Sequence, residues 1–322
     1  MDSQQCPALR QDHAEDCAAD HSSPIDEPSF PHISASEDAK ERYKFELQEL
    51  VTYLRKLPYH HWDADDRITE FFLPAEQYQQ FEELARCGEF AGAHLKYDYS
   101  YASETLALRM ASIKHEIIVE HLKRRLISFI DRAENNTESS MAEFAASLIP
   151  TGSAQVRYPS KDGKGNIERR PDLTIRTEKN PEYPVLVGEV ALSQTTQELQ
   201  KLAQEYIEQT EGNIRTVITI DLDYPTGKGA YLLVWRANFG EDGKFKGVAC
   251  DDAVEIRNKD GGKNPNRQAG LFLSLQDFAF IPGVDKDADL QSVAPIGTVS
   301  TDDLYAALER AEKVRQSLIQ RG

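Results

Sequence analysis

Apolar positions follow helical spacing in the first part of the chain and give way to alternating or continuous runs further on. Phe45, Leu47, Leu50, Val51 and Leu54 recur at roughly helical intervals, which predicts a helix over 37–57 that ends before Pro58. A second helix is predicted from Pro74 to Cys87, with proline in its first turn and Gly88 just past its end. The stretch HLKYDYSYASETLALRM alternates on both sides of a Ser-containing turn, the pattern of a hairpin. Ile113, Ile117, Leu122, Leu126 and Phe129 then form one broad stripe of a long helix, and SSMAEFAASLI gives a shorter one before Pro150 and Gly152.

Strands dominate after that point. AQVRY and IERRPDLTIR flank KDGKGN, a turn-rich loop that closes a hairpin. PVLVGEVAL is apolar on both faces, as a central buried strand must be. Thr195 and Glu198 form a capping box, and Leu199, Leu202, Ala203, Tyr206 and Ile207 mark the inner stripe of the helix that follows, up to Gly212. NIRTVITIDL and AYLLVWRANF read as further strands, CDDAVEIRN as one more, LFLSLQDFA as a strand or short helix, and DDLYAALERAEKVRQSLIQR as a closing helix. The order over 112–240 is helix, hairpin, central strand, helix, strand, strand. That order predicts an α/β fold, a mixed sheet with helices on its faces. The chain divides into an acidic tail (1–35), a helical N-terminal region (36–88) and one large α/β domain (89–322).

Charge changes this picture in one respect. The 322 residues carry 37 Lys and Arg against 54 Asp and Glu, a formal net charge of -17. Such a field repels phosphate, so bulk electrostatics cannot drive nucleic-acid binding. Much of the excess sits in residues 1–40, where nine acids face only Arg10 and Lys40, and the remainder of the chain retains room for a local basic face. No apolar run approaches the ~18 residues of a membrane span. The first twenty residues lack a basic stretch followed by an apolar one, so the expected location is intracellular, cytoplasmic or nuclear, rather than secreted. Cys6, Cys17, Cys87 and Cys250 form no CxxC pair, which disfavours both a disulfide framework and a cysteine zinc site.

Glu189 is the most informative residue, because a lone carboxylate inside VLVGEVAL would cost several kcal/mol. Three arrangements resolve that cost: protonation, pairing with a base such as Arg169 or Arg170, or a bound metal. Asp172 follows Arg169, Arg170 and Pro171 on the neighbouring strand, either as a second ligand or as a plain strand-start residue. Two carboxylates on adjoining strands suit Mg²⁺, which takes oxygen ligands. Glu116, on the long helix, is either a third carboxylate or part of a solvated face. Lys114, Lys123, Arg124, Arg125, Arg169 and Arg170 are either a phosphate-binding face or ordinary surface charge.

RPDLTIR, then Glu189 in VLVGEVALSQ 17 residues after Asp172, following a helix that bears His115-Glu116, resembles the PD-(D/E)XK nuclease superfamily. It is especially similar to the PD-(D/E)XK-like proteins of filamentous fungi, whose core strand reads much like EVxxSQ and leads through a helix to a segment like GNIRTVITIDLDY. The resemblance covers roughly residues 90–240. It implies a restriction-endonuclease-like fold and Mg²⁺-dependent hydrolysis of nucleic acid, with Mn²⁺ as a substitute. Asp172 and Glu189 match the acidic pair and Glu116 the helix glutamate. The lysine expected two residues after the second acid is Ala191. Gln194 is placed to orient a water; Lys161 and Lys164 on the hairpin tip, with Arg169 and Arg170, are the candidate substrate-binding cations. The same resemblance admits a catalytically inactive relative that binds nucleic acid or a protein through this surface. A third reading is an interaction protein that uses residues 37–87 and needs no such site.

Other motifs fall away on spacing. HEIIVEH is not a zinc-peptidase helix, since the position four after His115 is Val119, and His121 lies about 240° further round. GKG at 227–229 and GKGN at 163–166 lack P-loop spacing. His60, His61, Asp63, Asp65 and Asp66 read as a polar loop rather than a metal site.

Overall fold

The computed structural model describes residues 47–56, 68–88, 90, 95–136, 139–178, 180, 182–192, 196–223, 227–251, 253–279 and 297–320. The acidic tail, the first part of the predicted 37–57 helix and Gln194 lie outside them. The described chain is mixed α/β, with six α-helices.

The first elements are α1 (Leu47–Lys56), β1 (Ile68–Phe72) and α2 (Ala75–Arg86), followed by the hairpin β2 (Leu95–Ser100) and β3 (Thr105–Met110). The stretch read as helical thus also contributes a strand. β1 pairs antiparallel with β3, and the sheet order β1-β3-β2-β6-β5 carries this region into the hairpin β5 (Val156–Pro159) and β6 (Asn166–Arg169). Leu50, Leu54, Tyr78, Phe81, Tyr99, Leu106 and Leu108 form its core.

The second sheet holds the predicted central strand and the strands that follow it; of the hairpin read over AQVRY and IERRPDLTIR, only Leu173–Thr177 joins it, while Val156–Pro159 and Asn166–Arg169 belong to the first sheet. The second sheet runs β11-β10-β9-β8-β7-β4 with β12 added beside β10, and only β8–β9 is parallel. Its strands are β4 (Leu148–Gly152), β7 (Leu173–Thr177), β8 (Leu186–Ala191), β9 (Thr216–Leu222), β10 (Ala230–Phe239), β11 (Phe245–Cys250) and β12 (Val254–Arg257). Two departures from the sequence reading stand out. The end of SSMAEFAASLI is strand β4 after a short helix α4 (Ser139–Ala146), and β11 was not anticipated. LFLSLQDFA is both of the forms it suggested, β13 (Gly270–Leu273) and a 3₁₀ turn (Leu275–Phe278). β13 pairs with β14 (Gly297–Ser300), which leads straight into α6 (Thr301–Ile319).

Helix α3 (Ile113–Asn136) covers one face of this sheet, sharing a core with Leu173, Leu186, Val190 and Ile218. Helix α5 (Thr196–Glu208) buries the predicted Leu199, Leu202, Ala203, Tyr206 and Ile207, and the chain leaves it through Gly212 at φ +77. All six residues of β8 and all seven of β9 are buried, which is why both read as continuous apolar runs. The α3 face is tight at Gly188: an added Cβ would lie 2.7 Å from Leu173 Cδ2. Gly188→Ala is therefore expected to cost about 1–3 kcal/mol, measured as a lower urea midpoint at unchanged slope. Among the described residues no helix is long and apolar enough to cross a membrane.

Candidate functional site

The two sheets meet where the chain leaves β6 and enters β7, and that crossing is Arg170-Pro171-Asp172. β7 and β8 run antiparallel with Leu173 opposite Gly188, so the next position in register sets Asp172 against Glu189. Cross-strand neighbours share a face. Asp172 seals the end of the ladder itself, its Oδ2 accepting the backbone N–H of Val190 at 2.7 Å. Burial is nearly complete for both acids, whose side chains are 1% and 3% exposed.

Three cations from other elements face this pair. Lys96 of β2 donates from Nζ to Asp172 Oδ1 at 2.7 Å. His115, in the first turn of α3, sets Nε2 3.0 Å from Asp172 Oδ2. Arg109 of β3 brings Nη1 to 3.6 Å from Glu189 Oε2, while Tyr206 of α5 donates its hydroxyl to Oε1 at 2.7 Å. Lys96 and Arg109 arrive together because they are directly opposed in the β2–β3 register. Two like charges so placed repel unless anions separate them. Asp98 of β2 does part of this, with Oδ1 3.2 Å from Arg109 Nη2 and bonded by the Arg170 backbone N–H at 2.7 Å. Glu116, 46% exposed at the side chain, has Oε1 3.5 Å from Lys96 Nζ.

Electrostatics follows from burial opposed by pairing. Burial alone would raise Asp172, but His115, Lys96 and Arg109 hold it well below the usual carboxylate range. Burial alone would lower His115, yet the charge and hydrogen bond of Asp172 lift it to about 10, so the ring is an imidazolium at neutral pH. Glu189 moves the other way. Burial and the Asp172 charge push it up to about 7 against the pull of Arg109 and Tyr206.

The other expected site residues disperse. The arginine at Glu189 is Arg109; Arg169 instead pairs with Glu205 at 2.9 Å, and Arg170 with Glu82 at 3.0 Å. Lys161 and Lys164 are exposed on the β5–β6 turn. Lys123 and Arg124 pair with Glu120, Arg125 with Asp303 and Lys114 with Glu312, so the basic run on α3 is matched by acids rather than gathered into a patch. Lys96, Asp98 and Arg109 escaped the sequence reading. Their signal was alternation: in KYDY and LALR the charged residues occupy every second position of a hairpin whose other face is apolar.

Mg²⁺ on Asp172, Glu189 and Glu116 is the occupant the resemblance implies, and the donors as arranged do not fit it. Both Asp172 oxygens and Glu189 Oε1 are hydrogen-bonded by the chain itself, and Arg109 flanks Oε2. Three positive groups already face two acids. At about 4 Å and an effective dielectric near 20, each unit charge would oppose a dication by roughly 8 kcal/mol. Among the described residues no group of three His, Cys, Asp or Glu side chains is placed to hold a metal.

Beside the cluster lies an open cleft of about 580 Å³, lined among others by Arg86, Phe90, Lys96, Tyr97, Glu116 and Arg170. Arg170 stacks over Tyr97 at 3.6 Å from the ring centre. No protein-family profile matches this sequence, and a search of curated proteins finds no match to it.

Proposed function

We propose that the chain is a PD-(D/E)XK-like protein that binds nucleic acid without cutting it. The observation that carries this reading is the internal neutralisation of the acid pair: Asp172 answers Lys96 and His115, and Glu189 answers Tyr206 and Arg109. A pair faced by this many cations does not call for an ion, and of its four carboxylate oxygens only Glu189 Oε2, beside Arg109, is without a hydrogen bond. The adjacent cleft brings the cations of Arg86 and Arg170 beside the Tyr97 ring, with Glu82 and Glu116 in the same lining. With a strongly acidic chain around it, binding rests on these few local contacts and should weaken with salt by a shallow slope set by their small number.

A second reading is favoured by Lys96. It stands on Asp172 and near Glu116, and so offers the ammonium that Ala191 lacks at the expected lysine position. In that reading the chain hydrolyses phosphodiesters, with Asp172, Glu189 and Glu116 as its acids.

One experiment separates the two. Full-length protein is incubated with supercoiled plasmid and Mg²⁺ or Mn²⁺, beside Asp172→Ala, Glu189→Ala and an EDTA control. The expected result is no nicking, with salt-sensitive binding of a labelled oligonucleotide by anisotropy that falls when Arg170 is replaced by Gln. Metal-dependent nicking that disappears in Asp172→Ala and in Lys96→Ala would overturn the binding reading in favour of hydrolysis. Failure to bind either single- or double-stranded oligonucleotide at low salt would reject both.

A further inference from the structure

A second cleft, of about 410 Å³, shares no lining residue with the first and opens between the start of β9, the end of β10 and the 3₁₀ turn. Its size falls within the range of small-molecule sites. Arg215, Asn238, Phe272, Ser274, Gln276 and Asp277 are among its lining residues. Two arginines meet there, and their circumstances differ. Arg236 is fully engaged: it pairs with Asp277 and Asp251 and donates to the Phe272 carbonyl at 3.3 Å. Asp277 is committed in turn, to Arg236 and to the Ser274 backbone N–H at 2.8 Å.

Arg215 has no such partner. Among the described residues its side chain makes no hydrogen bond or ion pair; the guanidinium lies over the Phe239 ring at 4.2 Å, and Nη1 is buried without an acceptor. A half-buried guanidinium normally finds an acceptor, because leaving its donors unmet costs more than a bond is worth. Burial with only distant help from Asp277 lowers its proton affinity, yet it remains cationic at neutral pH. In the same cleft Phe272 is 53% exposed, one of few large apolar side chains so open among the described residues. An unmet cation, an open aromatic ring and the neutral polar groups of Asn238, Ser274 and Gln276 thus share one cleft.

We propose that this cleft binds a small monoanionic carboxylate carrying a flat apolar group, with the carboxylate on Arg215 and the apolar group against Phe272. The nearby Asp277 carboxylate sets the preference for one negative charge, since it repels a phosphate dianion more strongly than a carboxylate. The aromatic ring sets the preference for an apolar body over a bare ion.

The test uses the full chain and three probes followed by calorimetric titration or by chemical-shift changes: benzoate, its neutral isostere benzamide, and inorganic phosphate. Benzoate is expected to bind saturably and at least about tenfold more tightly than benzamide, the worth of a charge-assisted pair. Arg215→Gln should erase that difference. Phe272→Ser, at an exposed position where the fold is not at stake, should weaken benzoate several-fold. Equal affinity for benzoate and benzamide in the unaltered protein overturns the proposal, as does undiminished benzoate binding by Arg215→Gln. Phosphate binding more tightly than benzoate overturns the assignment to a monocarboxylate. If Arg215→Gln fails to fold, the benzoate–benzamide comparison and the Phe272→Ser variant still decide the matter.

Discussion

Asp172→Ala is expected to destabilise the fold by about 3–5 kcal/mol, the usual result of removing one partner from a buried ion pair. The carboxylate has two cationic partners, Lys96 Nζ at 2.7 Å and the His115 ring at 3.0 Å. Its loss leaves both charges in a site from which water is largely excluded, since their side chains are only 16% and 7% exposed. It also orphans the Val190 N–H, which has Asp172 as its acceptor on a fully buried strand. Asp172→Asn keeps an acceptor for Val190 while discarding the charge, and should fall between the alanine variant and the parent. The sign of the effect bears on function as well as on stability. Acids assembled to grip a cation repel one another without it, and deleting one then leaves the fold as stable or more so. A loss of several kcal/mol in urea unfolding near pH 6, with unchanged slope, agrees with an acid pair held by the chain's own cations; a midpoint at or above the parent's would argue for a cation site. Pairing Asp172→Ala with Lys96→Met should recover part of the loss, because the stranded ammonium is then gone as well.

How much of this was legible in the sequence depends on what each residue had to signal. The central strands β8 and β9 and the inner stripe of α5 were readable because apolar periodicity reports burial directly, and the structure buries those same side chains. Glu189 was readable as an anomaly for the same reason. Its partners were not. Arg109 lies 80 residues earlier in sequence and belongs to a different sheet, so no local pattern couples the two. In the β2–β3 hairpin, period two distinguishes an apolar face from a polar one but does not say whether the polar face meets water. Lys96, Asp98 and Arg109 form a polar face that packs onto the neighbouring sheet, and Asp98 is 6% exposed. The missing motif lysine directed attention to Lys161 and Lys164 along the same stretch of chain, whereas the ammonium beside Asp172 comes from a strand that precedes α3. Strand β1 escaped for a plainer reason: five residues of which only Phe71 is buried carry too little alternation to be seen.

Glu189→Gln is expected to stabilise the protein at alkaline pH while leaving it nearly unchanged in mild acid. A glutamate ordinarily ionises near 4.5, and burial with the Asp172 charge raises Glu189 to about 7 in the fold. The folded state therefore binds this proton more tightly than the unfolded chain. The stability that the protonated form contributes is fully present below pH 4.5 and is lost as pH rises through 7. At ~1.4 kcal/mol per unit, a rise of this size amounts to roughly 3 kcal/mol at pH 8.5. Glutamine cannot ionise, and like the protonated acid it keeps an acceptor for the Tyr206 hydroxyl, so the variant is spared that loss. Two neighbours shape the rest of the profile. His115 is raised from 6.5 to about 10, and its contribution is complete below pH 6.5 and fades as pH climbs through 10. Asp172 is depressed below its usual 3.8, so its contribution holds above that value and is lost as pH falls further. The stability of the parent should accordingly peak near pH 4 to 4.5 and decline on the alkaline side, first through Glu189 as pH climbs from 4.5 to 7 and then through His115. Urea midpoints for the parent and Glu189→Gln at pH 5 and 8.5 test this, the gap between them opening only at the higher pH. A gap of equal size at both would mean that Glu189 keeps one charge state throughout. It would then be held as a carboxylate by Arg109, and three cations would face two fully ionised acids at every pH where the fold survives.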